Sequence, residues 1–176
     1  MNSKRNGFTL VELLVVVIIL GILATISVPQ YLKTVEVSKA SDAAAMVATI
    51  GNANRMYNMD RPGAPVNGQI LTSCNTASCT VGATTSACQL VACKYLAPSP
   101  WGTATTGLPY NYYVCNGATG GACCVAGSVA CAKRKDGHGD YTTWGYTIDS
   151  SGACATLAAG VNNPACPGLE NASVAP

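Results

Sequence analysis

The sequence predicts an α+β protein, in which a long N-terminal α-helix packs on a small antiparallel β-sheet head that is rich in disulfides. Three observations support this class. An apolar run opens the chain, an amphipathic pattern of helical spacing follows it, and strand-like segments and all ten cysteines come later. Because a sheet with one apolar face needs a cover, the amphipathic half of the helix is expected to shield one side of it.

The apolar run extends from Phe8 to Val28 and contains a single charged residue, Glu12. At a rise of about 1.5 Å per residue, a helix of this length can cross a bilayer. Lys4 and Arg5 precede the run and favour a cytoplasmic N-terminus. The stretch is therefore predicted to be a membrane segment.

Two simple explanations of this segment leave Glu12 without a role. A cleaved secretory signal has an apolar region of about 7 to 15 residues, which is shorter than this run. An ordinary signal anchor accounts for the orientation but not for a carboxylate in the apolar run, where an ionised group is costly.

The residues around Glu12 resemble a known processing motif. The stretch KRNGFTLVEL, residues 4–13, combines a basic leader, Gly7, Phe8, Glu12 and the apolar run at fixed spacing. It resembles the motif of type IV prepilins and pseudopilins. The resemblance implies that an aspartic prepilin peptidase cuts between Gly7 and Phe8 and methylates the new amine of Phe8.

A cut before the apolar run leaves this run in the mature chain. The predicted organisation is a leader peptide at residues 1–7, a hydrophobic transmembrane and filament-core helix at 8–30, the amphipathic half of the helix at 31–60, and the head at 61–176. The membrane segment then becomes an assembly segment.

The resemblance also implies a partner for Glu12, namely the Phe8 amine of a neighbouring subunit in a filament. The alternative is that the Glu12 side chain reaches the lipid headgroups from near the helix end. Gly21 and Pro29 both weaken a helix. The span between them is expected to lose helical structure in a filament, as in similar pilins, and to form a simple kinked helix in the isolated subunit.

Apolar residues continue the helix at spacings of three, four, and seven or eight. They are Leu32, Val35, Ala43, Met46, Val47, Ile50, Ala53 and Tyr57. We therefore predict one helix from about Phe8 to about Met59, stopped by the segment at 61–65 with its two prolines and its glycine.

The even number of cysteines in a Gly- and Thr-rich head predicts a disulfide framework in an oxidising compartment. They are Cys74, Cys79, Cys88, Cys93, Cys115, Cys123, Cys124, Cys131, Cys154 and Cys166. Spacing alone does not fix the pairing. The first four, in a segment that looks like the family's variable loop, form either two local loops or a cross-linked pair of turns, and the family resemblance implies a bond between Cys154 and Cys166.

Residues 109–115 and 141–148 are rich in aromatic and β-branched residues and predict strands. A turn at 149–152 followed by 153–157 predicts a β-hairpin over 146–157. The expected sheet has three or four strands.

Charge and ligand patterns are weak. Loss of Lys4 and Arg5 from ten basic residues leaves eight against eight acidic ones, so nucleic acid is an improbable partner. The basic run at 133–135 is expected to be a solvated loop, although contact with DNA or an anionic surface is an alternative. Asp136, Asp140 and Asp149 form a weak calcium candidate, with a Gly-rich turn as the default.

The single histidine, His138, has no accompanying nucleophile motif. We therefore expect no catalytic site, no cofactor and no other metal site. The predicted protein is a structural subunit of a type IV pilus, with copies of itself, prepilin peptidase and the assembly machinery as partners.

The expected location of this subunit is the bacterial inner membrane before assembly and the cell surface afterwards. A pseudopilin of type II secretion, in a periplasmic filament, and a monomeric membrane-anchored binding domain are the alternatives. Adhesion, twitching motility, DNA uptake and secretion are all compatible with the sequence.

Overall fold

A computed structural model describes residues 8–80, 85–102, 106–120, 123–135, 141–157 and 163–166. It confirms the predicted class: a long N-terminal helix, an antiparallel five-stranded sheet and five disulfides. The chain divides into two compact units, residues 1–37 and 38–176.

Helix α1 extends over Leu10–Asp60, close to the predicted bounds. It continues without interruption through Gly21 and Pro29. The helix is long and apolar enough to cross a membrane, and none of its most apolar window is buried. The second unit also contains a short α-helix, α2, at Cys88–Ala92 and a 3₁₀ turn at Thr72–Thr76.

The sheet belongs to the second unit, and each strand pairs antiparallel with the next one along the chain. In chain order the strands are β1 Gly68–Gln69, β2 Tyr110–Val114, β3 Ser128–Arg134, β4 Gly145–Asp149 and β5 Cys154–Thr156. In the central part of the sheet Ala132 of β3 lies opposite Tyr112 of β2 and Tyr146 of β4. The strands from β2 to β5 follow one another after short connections, whereas residues 70–109 separate β1 from β2.

The sequence predicted β2 and the β4–β5 hairpin but not β1 and β3. Strand β4 starts at Gly145, because residues 141–143 form a turn in which Trp144 N donates to Tyr141 O at 3.0 Å. In the sequence SVACAKR of β3 only Val129 has a strong strand preference. Pairing along both edges with β2 and β4 therefore holds β3 in place.

The expectation that residues 133–135 form a solvated loop is wrong. Lys133 and Arg134 end β3, and the exposed fractions of Arg134 and Lys135 are 5% and 8%. Arg134 Nη1 donates to Pro109 O at 2.7 Å, and Lys135 Nζ donates to Thr106 O. Burial lowers the pKa of the Lys135 amine. These two cations are engaged in holding the segment before β2.

The buried face of α1 in the second unit consists mainly of small residues. Its members are Ala40, Ala43, Ala44, Val47, Ile50, Gly51, Ala53, Asn54 and Tyr57. Of the predicted face, Val35 and Met46 are half-buried, and Leu32 is exposed. A Cβ on Gly51 would lie 2.6 Å from Ile148 Cγ2, so the helix backbone approaches β4 closely.

Asn54 connects the same face of α1 to the sheet. Its Nδ2 donates to Cys115 O and to Val129 O, each at 2.9 Å, and its Oδ1 accepts from Asn58 Nδ2 at 3.2 Å. The two carbonyls lie at the end of β2 and in β3. One buried amide thus satisfies backbone groups from two neighbouring strands.

The five disulfides bond Cys74 to Cys88, Cys79 to Cys93, Cys115 to Cys124, Cys123 to Cys131, and Cys154 to Cys166. In the first two bonds, Cys74 and Cys79 each bond to a cysteine that lies 14 residues later in the chain. The segments 74–79 and 88–93 are therefore joined twice, which makes the cross-linked pair of turns the correct alternative. The implied C-terminal bond is confirmed. Arg61 Nη1 donates to Thr80 O at 3.0 Å and joins the cross-linked turns to the end of α1.

We expect Asn54→Ala to lower the free energy of unfolding by about 1 to 3 kcal/mol, because Cys115 O loses its donor from Asn54 and Val129 O keeps only its bond from Cys115 N. Asn52→Ala is the matched control: Asn52 lies two residues earlier on the exposed side of α1, and its substitution should change stability by about 0.5 kcal/mol or less. Urea denaturation of the full chain in detergent measures both. Equal effects of the two substitutions would contradict the role of Asn54.

A second expectation concerns high pH. Burial raises the pKa of Tyr146 to about 12, and its hydroxyl donates to Pro164 O at 3.0 Å. The folded state holds this proton more tightly than the unfolded chain, in which the phenol has a pKa of about 10. The stability that Tyr146 contributes is therefore fully present below about pH 10 and is lost as pH rises towards 12.

The comparison variant is Tyr146→Phe, which removes the titrating group. The difference in unfolding free energy between the wild type and this variant should be constant from pH 7 to 9 and should shrink at pH 10.5 and 11. A difference that does not change with pH would refute the assignment.

Candidate functional site

The first turn of α1 is closed by reciprocal hydrogen bonds between Thr9 and Glu12. Glu12 N donates to Thr9 Oγ1 at 3.3 Å, while Glu12 Oε2 accepts from Thr9 N at 2.9 Å and from Thr9 Oγ1 at 2.8 Å. This arrangement is a capping box, in which the residue before the helix and the third helical residue satisfy each other's backbone donors. Glu12 therefore has a partner within its own chain.

A carboxylate in this position is also favoured by the partial positive charge at a helix N-terminus. The sequence predicted the Phe8 amine of a neighbouring subunit as the partner of Glu12, with the lipid headgroups as the alternative, and it missed Thr9. The signal was available, because a Thr followed three residues later by a Glu, just before an apolar run, is typical of a helix start. In the isolated unit Glu12 thus stabilises the beginning of its own helix.

The side chains that follow form a continuous exposed apolar surface on the first unit. Phe8 is 82% exposed, and each large apolar side chain from there to Leu32 is at least 47% exposed. The members are Phe8, Leu10, Val11, Leu13, Leu14, Val15, Val16, Val17, Ile18, Ile19, Leu20, Ile22, Leu23, Ile26, Val28, Tyr31 and Leu32. A patch of this size marks contact with a membrane or with other proteins.

Of the other predicted site residues, some lie outside the residues that the structure describes, and Asp149 lies within them. Gly7, Asp136, His138 and Asp140 lie outside the described residues. Asp149 ends β4, and its Oδ1 accepts hydrogen bonds from Ser151 N, Ser151 Oγ and Ala153 N at 2.6 to 2.9 Å. These donors, led by the Ser151 hydroxyl, lower the pKa of Asp149. This carboxylate shapes the β4–β5 turn.

Comparison with known proteins confirms the N-terminal resemblance. Residues 2–28 match the family model described as the prokaryotic N-terminal methylation motif. The chain is 35% identical over 72 residues to the type II secretion system core protein G of Escherichia coli K12, covering 41% of this chain and 50% of that protein. The motif and the exposed apolar helix together define a prepilin-type N-terminus.

Two further relatives are named as subunits of type IV pili or fimbriae. The type IV major pilin protein PilA of Myxococcus xanthus is 39% identical over 56 residues, which cover 32% of this chain and 26% of PilA. The type IV major fimbrial protein FimA of Dichelobacter nodosus is 51% identical over 41 residues, covering 23% of this chain and 26% of FimA. The matched part spans half or less of each relative's length. No solved structure matches the chain.

The capping box makes a testable statement about the first turn. The Thr9 hydroxyl accepts a hydrogen bond from Glu12 N and donates one to the Glu12 carboxylate. Thr9→Val removes this hydroxyl and should weaken the turn by about 1 kcal/mol. Thr9→Ser keeps the hydroxyl and should behave like the wild type. Amide hydrogen exchange of Glu12, measured by NMR on the full chain in micelles, should be about fivefold faster in Thr9→Val. Unchanged exchange would exclude the box.

Proposed function

We propose that this chain is a structural subunit that polymerises into a type IV pilus filament after cleavage between Gly7 and Phe8 and methylation of the Phe8 amine. The observation that carries the proposal is the combination of a capped carboxylate at Glu12 with the exposed apolar surface from Phe8 to Leu32. The match of residues 2–28 to the methylation motif supports the processing step.

The geometry at Glu12 is compatible with a second partner. An ionised carboxylate offers about four acceptor sites, and the Thr9 bonds are made to one oxygen, Oε2. An ammonium group can therefore bind the carboxylate while the capping box stays closed. In the proposed filament this group is the Phe8 amine of a neighbouring subunit, which exists as a free amine only after the cut.

The apolar surface supplies the rest of the assembly energy. In the inner membrane the side chains from Phe8 to Leu32 contact lipid, and in a filament they contact the same segments of other subunits. Because lipid tails are as apolar as these side chains, the exchange depends on packing and on polar pairs such as Glu12 with Phe8. The span from Gly21 to Pro29 is the part of α1 that is proposed to unwind during this repacking.

The alternative function is a pseudopilin of a type II secretion system. The similarity to core protein G of Escherichia coli favours it, because this match covers a larger share of both chains than the matches to PilA and FimA do. Both functions use the same processing and pairing, with prepilin peptidase and the assembly machinery as partners. They differ in whether the filament extends outward from the cell surface or remains in the periplasm.

The test is a set of Glu12 variants in cells that contain prepilin peptidase. Glu12→Gln keeps an oxygen that can accept from Thr9 but removes the charge, and Glu12→Asp keeps the charge on a shorter side chain. We expect Glu12→Gln to reduce filament mass at least about tenfold, which corresponds to a pairing energy of about 1.4 kcal/mol. Thr9→Val, which leaves the charge in place, should assemble better than Glu12→Gln.

Mass spectrometry of the wild-type N-terminus should find methylated Phe8, whereas an intact Met1 in peptidase-containing cells would overturn the processing step. Electron microscopy of sheared surface material separates a pilus from a periplasmic pseudopilus. Normal filament abundance in Glu12→Gln would refute the charge pair. Absence of filaments from the wild type would instead fit a monomeric anchored domain.

A further inference from the structure

Cys79 is the exposed cysteine of the head. All ten cysteines lie in the part of the chain that the structure describes, and the other nine are buried or half-buried. Cys79 is bonded to Cys93, which is half-buried. Because access to the attacked sulfur limits the rate of disulfide exchange, Cys79 is the sulfur that a reagent in solution reaches most readily.

A guanidinium group contacts this exposed sulfur. Arg61 Nη2 lies 3.3 Å from Cys79 Sγ, and Arg61 Nη1 donates to Thr80 O at 3.0 Å. The Arg61 Cζ atom also lies 5.3 Å from the centroid of the Tyr57 ring, a distance at which a cation is attracted to an aromatic face. These three contacts hold a positive charge beside the sulfur.

We propose that Cys79 is a thiol-modification site, at which a small anionic thiol, attracted by Arg61, opens the Cys79–Cys93 bond and stays attached to Cys79. Disulfides exchange when a thiolate attacks one sulfur and displaces the other. A cation beside the attacked sulfur favours the approach of the negative thiolate. A reagent that also carries a carboxylate or a sulfonate gains a second attraction to the guanidinium.

The Arg61 guanidinium has donors left for such a reagent. Its contacts with Thr80 O and Cys79 Sγ use two of the five N–H donors of an arginine side chain. The neighbouring carboxylate oxygen, Asp60 Oδ2, accepts from Tyr95 Oη at 2.6 Å. An incoming anion can therefore bind Arg61 while the contact with the sulfur is kept.

The exchange balances without a further reactant. The incoming thiolate forms a bond with Cys79 Sγ, the bond between Cys79 and Cys93 breaks, and its electron pair goes to Cys93 Sγ. Cys93 takes up a proton from water, so the small thiol is oxidised and Cys93 is reduced. Cys93 Sγ lies 3.4 Å from Gln89 Oε1, which can accept a hydrogen bond from the new S–H group. Polymerisation is not needed for this chemistry, so a chain that forms no filament can still undergo it.

The first test uses the wild-type full chain in detergent at pH 8 and low ionic strength. The chain is treated with 2-mercaptoethanesulfonate, free thiols are trapped with N-ethylmaleimide, and both groups are located by tandem mass spectrometry. We expect the sulfonate thiol on Cys79 and N-ethylmaleimide on Cys93, while the Cys154–Cys166 bond stays closed. This bond is the matched comparison, because both of its cysteines are half-buried.

Three results of this experiment would overturn the proposal. They are opening of the Cys154–Cys166 bond before the Cys79–Cys93 bond, attachment of the reagent to Cys93 instead of Cys79, and retention of all five bonds.

The second test measures whether the Arg61 charge selects the reagent. 2-Mercaptoethanesulfonate and cysteamine have the same two-carbon chain but carry opposite charges. In Arg61→Gln the ratio of their rates at Cys79, anionic over cationic, should fall about fivefold, since the reagents differ by two unit charges at roughly 8 Å from the guanidinium. Arg61→Lys keeps a positive charge, and its ratio should stay within about twofold of the wild type.

The ratio of the two rates distinguishes a charge effect from a loosened turn. If Arg61→Gln only loosened the segment around Cys79, both reagents would react faster and the ratio would not change, which would overturn the role of Arg61. In the wild type the ratio should approach that of Arg61→Gln at about 1 M sodium chloride, where the Debye length is about 3 Å. A wild-type ratio that does not respond to salt would also overturn attraction by Arg61.

Discussion

Gly51 faces the sheet at a distance that leaves no room for a side chain, and this contact sets the packing of the head. A Cβ there would lie 2.6 Å from Ile148 Cγ2 and 3.3 Å from Val129 Cγ2. The short side chains on the same face of α1 allow the helix backbone to reach β3 and β4. At this separation the Asn54 amide donates to Cys115 O and to Val129 O, the second of which also accepts from Cys115 N at 3.0 Å.

A helix face on which alanine and glycine predominate buries little apolar area, and the disulfides offset this. Each cross-link reduces the conformational entropy of the unfolded chain. In the chain-entropy model this raises the free energy of unfolding by about 3 kcal/mol for a loop of some 15 residues. The five loops in this head span 8 to 14 residues. The bonds therefore hold segments that have little regular structure, such as the region between α1 and β2, where β1 has two residues.

The two halves of α1 meet opposite requirements. In the second unit it buries a narrow face of small residues, whereas before Leu32 its large apolar side chains are exposed. A hydrogen-bonded carboxylate at the start of such a helix costs less than an isolated one, because Thr9 and the helix N-terminus both favour its charge. The Thr9 hydrogen bonds thus lower the cost of a charged Glu12 at the start of an apolar segment.

The sequence by itself determined the features that depend on local order: the bounds of α1, the N-terminal motif, β2, and the turn at Asp149. Each follows from periodicity, fixed spacing or turn chemistry within a few residues. Strand β3, the burial of Arg134 and Lys135, and the disulfide pairing at Cys115 and Cys131 were decided by the tertiary structure. Strand β3 depends on its neighbouring strands, and the partners of Arg134 and Lys135 lie 25 and 29 residues away. Cys115 and Cys131 bond to two adjacent cysteines at separations of 9 and 8, so neither local preference nor spacing decides which groups meet.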